Sequence, residues 1–210
     1  MTIWLHVCCA DCLLRFLVAS GYPLPPASQR FIKNYQTPSR QNFTEVRFQL
    51  VYLNPNIYPK SEYDARRQAL ESVATTLNFP LHIADYRPQD YFSLPAPATQ
   101  LTTGAIDPSR CAQCQNFRLQ ATLDFAAAHS DNQPIKYFSS TMLASAYLDH
   151  DQIVCLGQSL TAANRTQFIY PEFTLDPATI KTAGYFKQNY CGCLFSLAAK
   201  TRAKFAPNVV

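Results

Sequence analysis

Short apolar runs alternate with longer amphipathic stretches along this chain. Thr2 to Val7 is a run of mostly large apolar side chains that ends at a cysteine pair, which predicts a short buried strand running into a turn. Ala10 to Ser20 then sets Leu13, Leu14, Leu17 and Val18 on one helical face. Between Tyr22 and Phe43 the composition turns to Pro, Gln, Ser and Asn and the apolar period lapses, so this segment reads as a loop-like insertion. Val46 to Leu53 predicts a second strand, followed by the turn-rich Asn54-Pro55-Asn56-Ile57-Tyr58-Pro59 and a helix opening near Ser61 and Glu62. Leu81 to Tyr86 predicts a third strand, and a Pro/Thr-rich loop follows from Leu94 to Ser109. Ala112 to His129 predicts a long helix with Phe117, Ala121, Leu123 and Phe125 at apolar positions. Ile135 to Ser140 predicts a fourth strand, Ala146 to Ala163 a weaker helix, and Gln167 to Phe173 a short fifth strand. Helices over Pro177 to Gln188 and Leu194 to Lys204 close the chain on either side of a turn at Cys191.

Strands that alternate with helices require crossover connections, so the pattern implies an α/β fold with a mainly parallel sheet covered on both faces. Ligand sites in such sheets lie at the carboxyl ends of the strands. Cys8 and Cys9 follow the first strand and Asn54 follows the second, which puts both motifs on that edge. At 210 residues and 48% hydrophobic the chain can bury a full core, and it is expected to form one catalytic domain over 1–210, with the insertion at about 22–43.

Charge narrows the partners only slightly. Eighteen Lys and Arg against fourteen Asp and Glu give a net charge of +4 and a pI near 8.6, which suits a polyanionic partner without requiring one. Met1 to Val7 lacks the basic leader and apolar core of a secretory signal, and no stretch reaches the roughly 18 to 20 apolar residues of a membrane span. A cytoplasmic setting is therefore expected, where thiols stay reduced and clustered cysteines serve metals or redox chemistry.

Seven of the eight cysteines fall into three groups: Cys8-Cys9-x-x-Cys12, Cys111-x-x-Cys114 and Cys191-Gly192-Cys193. Cys9 to Cys12 and Cys111 to Cys114 share the spacing that lets two thiolates on one turn converge on a metal, and two such pairs supply the four thiolates of tetrahedral zinc or of an iron–sulfur cluster. The position of the first group, at the ligand edge after a buried strand, favours a working site over a structural zinc. The one-residue spacing of Cys191 and Cys193 allows a strained, easily reduced disulfide, with two further ligands as the alternative; Lys187 is placed to lower a thiol pKa there. Cys155, within Ile153 to Leu156, is expected to be plain core.

The motifs, in this order, resemble the QueH family of epoxyqueuosine reductases. The resemblance is carried by His6-Val7-Cys8-Cys9-Ala10-Asp11-Cys12, by Asn54-Pro55-Asn56-Ile57 with Glu62, Tyr63 and Arg66, by Arg110-Cys111-Ala112-Gln113-Cys114 with Phe117-Arg118-Leu119, and by Gly184 through Cys193. It implies a nucleotide-hydrolase-like, Rossmann-like three-layer sandwich and an enzyme that reduces epoxyqueuosine to queuosine at the wobble position of tRNA. It also implies a 4Fe-4S cluster held by Cys8, Cys9, Cys111 and Cys114, a redox-active pair of Cys191 and Cys193, and a second mononuclear metal, iron, served by Cys12 with Asp11. Asp11 stands where family members usually have Pro, and 144–150 lacks the stretch that relatives carry there, so no role transfers to His150.

Removing an epoxide oxygen takes two electrons and two protons, so an external electron donor is expected besides the tRNA. The base has to leave the anticodon stack, and Tyr58, Tyr63, Tyr185 and Tyr190 lie nearest the motifs as stacking platforms. Arg66, Arg67, Arg110, Lys187, Lys200, Arg202 and Lys204 are candidates for phosphate contact. Rival readings fare worse. An ATP-pyrophosphatase needs a glycine-rich loop after the first strand, and no glycine occurs between Met1 and Ser20. A general thiol oxidoreductase would show an isolated C-x-x-C opening one helix. A zinc-stabilised RNA-binding module without redox activity is the remaining alternative.

Overall fold

The computed structural model describes residues 1–33, 35–36, 43, 45–96, 104–131, 133–162 and 165–205. Strand β1 (Thr2–His6) has every side chain from Ile3 to His6 buried, as a central parallel strand requires. It pairs on one side with β2 (Arg47–Tyr52) and on the other with β4 (Tyr137–Ser140). β3 (Leu81–Ile83) and β5 (Gln167–Phe168) flank them, shorter than the expected third and fifth strands. The order is β3-β2-β1-β4-β5, all parallel.

This order fixes where a site can form. The chain steps from β1 to β2 to β3, then crosses back over β1 to β4 and on to β5, so the winding reverses between β1 and β4. Right-handed crossovers then put the helices on opposite faces. Helix α1 (Ala10–Ala19) packs on α3 (Lys60–Leu77), and α5 (Pro108–Ala128) packs on α6 (His150–Thr161). The crevice beyond the carboxyl ends of β1 and β4 is the topological switch point at which such sheets bind ligands. Cys8 leaves β1 and Thr141 leaves β4 there, at opposite lips of the crevice.

Several local expectations give way to longer-range contacts. Helix α5 begins at Pro108 because the Asp107 carboxylate caps it, accepting from the Ser109 amide at 2.9 Å. Its buried face is Gln115, Arg118, Leu119, Thr122, Leu123 and Ala126, while Phe117, Ala121 and Phe125 are only half-buried. A short helix α4 (Pro88–Phe92) stands before it in a stretch given no element by the apolar pattern. No helix forms over Pro177 to Gln188; a single 3-10 turn at Pro177–Thr179 is followed by extended chain. The reason lies in the expected insertion. Lys33 donates its amide to the Lys181 carbonyl at 2.8 Å and Ala183 donates to Phe31 at 2.9 Å, around an antiparallel bridge of Ile32 with Thr182.

The insertion is thus not a detached loop over its described part. Leu24, Phe31 and Ile32 are buried, and a short helix α2 spans Pro26–Gln29. Residues 34 and 37–42 of the expected insertion, residue 44 just after it, and 97–103 of the Pro/Thr-rich loop lie outside the described residues. Cys155 is exposed, not core, because α6 turns Ile153, Gly157 and Thr161 inward and Cys155 faces away. Helix α7 (Leu194–Phe205) closes the described chain as expected. No helix among the described residues is long and apolar enough to cross a membrane.

Gly157 lets α6 approach the sheet closely. A Cβ there would stand 2.5 Å from the ring of Phe168, which is itself packed against Phe138 at 6.0 Å between centroids. Gly157→Val is expected to destabilise the fold by about 1–3 kcal/mol through overpacking, read from the urea unfolding midpoint. An unchanged midpoint would contradict that contact.

Candidate metal centre

Helix α1 presents its first cysteines through its own cap. Cys9 is extended (φ −173°, ψ 167°), and its Sγ accepts from the Cys12 amide at 3.3 Å, so a sulfur sits where the positive end of the helix points. The Sγ atoms of Cys8, Cys9 and Cys12 all lie within 4.8 Å of one another. Thr141, across the switch point, accepts the Cys8 amide at 3.2 Å and stands 3.5 Å from its sulfur. Gln188 donates to the Cys9 sulfur at 2.7 Å. Hydrogen bonds from Cys12 and Cys9 hold the Cys8 thiol well below its usual range despite burial, with Arg118 adding to the effect. Burial pushes Cys9 up, and donation to Cys8 pushes Cys12 up.

Cys111 and Cys114 occupy the opening of α5, and they line one cavity with Cys191, Cys193, Gln115 and Arg118. Burial raises Cys111 and takes Cys114 up to about 11. Cys193 is drawn down to about 5, chiefly by a hydrogen bond from Cys191, whose own thiol is pushed up; the Ser196 amide also donates to the Cys193 sulfur at 3.3 Å. A second cavity holds Cys8, Cys9, Cys12, Arg66, Tyr147 and Gln188. Cys191, Arg118 and Leu148 line both. The chain thus gathers seven cysteines, Cys12 included, around one guanidinium.

Beneath the sulfurs runs a buried polar network. Arg118 donates to the Asn54 side-chain oxygen at 2.6 Å, and Asn54 donates to the Val7 carbonyl at 2.9 Å. His6 lies 3.4 Å from Arg118 through Nε2 and 2.9 Å from the Ser140 hydroxyl through Nδ1. Burial, then Arg118, lowers the His6 pKa to about 3 and keeps the ring neutral.

The Cys191-Gly192-Cys193 loop is held from α3. Buried Arg66 pairs with Glu62 at 2.8 Å and donates to the carbonyls of Tyr190 and Cys191, each at 3.1 Å. Gly192 has φ +123°, and an added Cβ would meet Arg66 at 3.0 Å and Ile57 at 3.1 Å, so the loop needs glycine.

Asp11 does not join the thiol group. Its carboxylate accepts from Arg15 at 2.8 Å, from Tyr185 at 3.1 Å and from Thr182, and it pairs with Lys187 at 3.5 Å. Arg66 and Arg110 are each 2% exposed and turned inward, so neither meets phosphate as the sequence suggested. Tyr63 and Tyr190 are buried too, leaving Tyr58 exposed. The sequence reading gave no individual role to Thr141, Gln188, Ser196 or Arg118, although Arg118 and Gln188 fall within the motifs that carry the resemblance.

The donor set suits an anionic, thiolate-bound centre. Soft thiolates select zinc or iron–sulfur clusters. The site already holds a buried cation without an acidic partner, since no ion pair among the described residues involves Arg118.

A family model described as epoxyqueuosine reductase QueH matches residues 34–199. A protein of Thermotoga maritima named epoxyqueuosine reductase QueH is 26% identical over 205 residues, covering 93% of this chain and 90% of its own length. One of the same name from Dehalococcoides mccartyi is 27% identical over 150 residues, covering 69% and 76%. Among solved structures, the U34-tRNA thiolase NcsA of Methanococcus maripaludis with its 4Fe-4S cluster overlaps at a TM-score of 0.47 and 14% identity over 99% of this chain and 68% of its own, too slight a likeness to carry weight.

The hold on the cysteine loop is open to a double-mutant cycle. Arg66→Met is expected to cost about 3–5 kcal/mol in urea unfolding, because it strips Glu62 of its partner and two carbonyls of their donor. Adding Glu62→Gln should recover part of that loss; strict additivity of the two changes would contradict the coupling.

Proposed function

The chain belongs to the epoxyqueuosine reductase QueH family, and from its thiol centre at the switch point we propose that it reduces epoxyqueuosine to queuosine in tRNA with an iron–sulfur cluster. The observation that carries this reading is the convergence of cysteines from three distant segments on one edge, around Arg118. We assign Cys8, Cys9, Cys111 and Cys114 to a 4Fe-4S cluster. In support, Cys8 and Cys9 sit at a helix cap, and Cys111 and Cys114 line the cavity on the other side of Arg118. Cys12 we assign to a second mononuclear metal, iron. Asp11 can join it as a ligand only by giving up contacts to Arg15, Thr182, Tyr185 and Lys187. A bound cluster would supply electrons one at a time, and the second metal a Lewis acid for the departing oxygen.

The reaction balances as epoxide plus two electrons and two protons going to alkene plus water. Oxidation of the Cys191/Cys193 dithiol to a disulfide releases two electrons and two protons, so one turnover of the pair matches one substrate. A depressed Cys193 beside a raised Cys191 favours this role, because it sets a thiolate next to a proton-bearing partner. An external donor must then reduce the disulfide. We place the chain in the cytoplasm, the setting that suits a tRNA substrate and a centre of reduced thiols.

On the substrate side, Tyr147 is 55% exposed and lines the Cys8/Cys9/Cys12 cavity. The Ser145 hydroxyl accepts its amide at 3.3 Å, which seats the residue on a tight turn at the mouth of the site. We assign Tyr147 as the platform on which the extruded base stacks. Lys200, 5.8 Å over the Tyr190 ring, stands on the same side as a phosphate contact.

Anaerobic turnover with tRNA carrying epoxyqueuosine, followed by nucleoside mass spectrometry, is expected to yield queuosine. Cys191→Ser with Cys193→Ser should abolish multiple turnover; full activity in that variant would remove the dithiol from the electron path. Tyr147→Ala should weaken tRNA binding by about 1–3 kcal/mol while Tyr147→Phe preserves it. Equal binding by all three proteins would remove the stacking role.

A further inference from the structure

Arg118 is 3% exposed, and no carboxylate among the described residues pairs with it. Its donors reach the Asn54 oxygen and lie 3.4 Å from His6, while its Nε has no partner. Asn54 is neutral and His6 is never an anion, so neither supplies a counter-charge. Arg66, by contrast, has Glu62, and Arg110 has the carbonyls of Tyr91, Leu94 and Pro95 with two aromatic rings over it. A bare buried ion costs several kcal/mol, so this position is a liability in the chain by itself. What the guanidinium does face is sulfur, since it lines the cavities on both sides. Gln115, on the cavity shared with Cys111 and Cys114, also has an unpartnered oxygen.

We infer that Arg118 is the built-in counter-ion of an anionic thiolate centre, a positioning residue that holds the bound centre and favours its reduced form. The inference rests on the reading that these cysteines hold a metal. A centre bound by thiolates gains a further negative charge on reduction, and a buried cation beside it stabilises that charge. Removing the cation should therefore loosen the metal and lower the reduction potential, yet relieve the chain when the metal is gone.

The test compares the full-length protein, loaded and after chelation, with its Arg118→Met and Arg118→Lys variants. Chelator-driven loss of iron, or of zinc if zinc is what the protein holds, should be at least about tenfold faster in Arg118→Met. For a cluster, the redox equilibrium should shift about tenfold toward the oxidised form, 59 mV for one electron. The stripped Arg118→Met chain should unfold at the same urea concentration as the stripped parent or higher, and Arg118→Lys should fall between parent and Met in metal loss. Unchanged metal loss and potential would overturn the inference, as would a stripped Arg118→Met chain that is less stable than the stripped parent or does not fold. A parent protein that binds neither iron nor zinc would overturn the metal reading itself.

Discussion

The hydrogen-bonded run from Asn54 through Arg118 to His6 and Ser140 is the interaction on which the rest of the site depends. It joins Asn54 in the turn after β2, the inward face of α5, the last residue of β1 and the last residue of β4. β1 runs on to Cys8, β4 runs on to Thr141, which contacts Cys8, and α5 opens with Cys111 and Cys114. A network buried this deeply is stable only when its members are satisfied, and here the unmet demand points upward to the sulfurs. The sheet supplies the crevice, but the network fixes which side chains meet in it.

Much of this was legible along the chain. The strands at Thr2–Val7, Val46–Leu53 and Ile135–Ser140 announced themselves by buried apolar runs, and the intervening helices implied the parallel sheet. The cysteine motifs carried the family. What local pattern missed was set by contacts distant in sequence. Phe31 to Lys33 engages Lys181 to Ala183 across about 150 residues of chain, and that pairing replaces the helix expected over Pro177 to Gln188. Cys155 shows the reverse error, because an apolar neighbourhood in sequence says nothing of which way a helix turns. Arg66 and Arg110 look like surface cations in sequence and are interior, since a cation goes inside when carbonyls, rings or a carboxylate receive it.

The site also divides labour more finely than cysteine spacing suggests. Cys8, Cys9 and Cys12 share one hydrogen-bonded group, whereas Cys111 and Cys114 share a cavity with the Cys191/Cys193 loop. Cys191 lines both spaces, so the Cys191/Cys193 loop adjoins both groups of cysteines. Arg66 and Gly192 fix that loop without blocking the sulfurs, and Tyr147 stands at the mouth where a base would arrive.

The central claim is that these thiols hold an iron–sulfur cluster, and metal analysis of protein purified without oxygen tests it most directly. Iron, acid-labile sulfide and zinc are measured on one sample. The account predicts about four sulfides and at least about four irons per chain. Zinc without sulfide would contradict it and leave a zinc-stabilised RNA-binding fold.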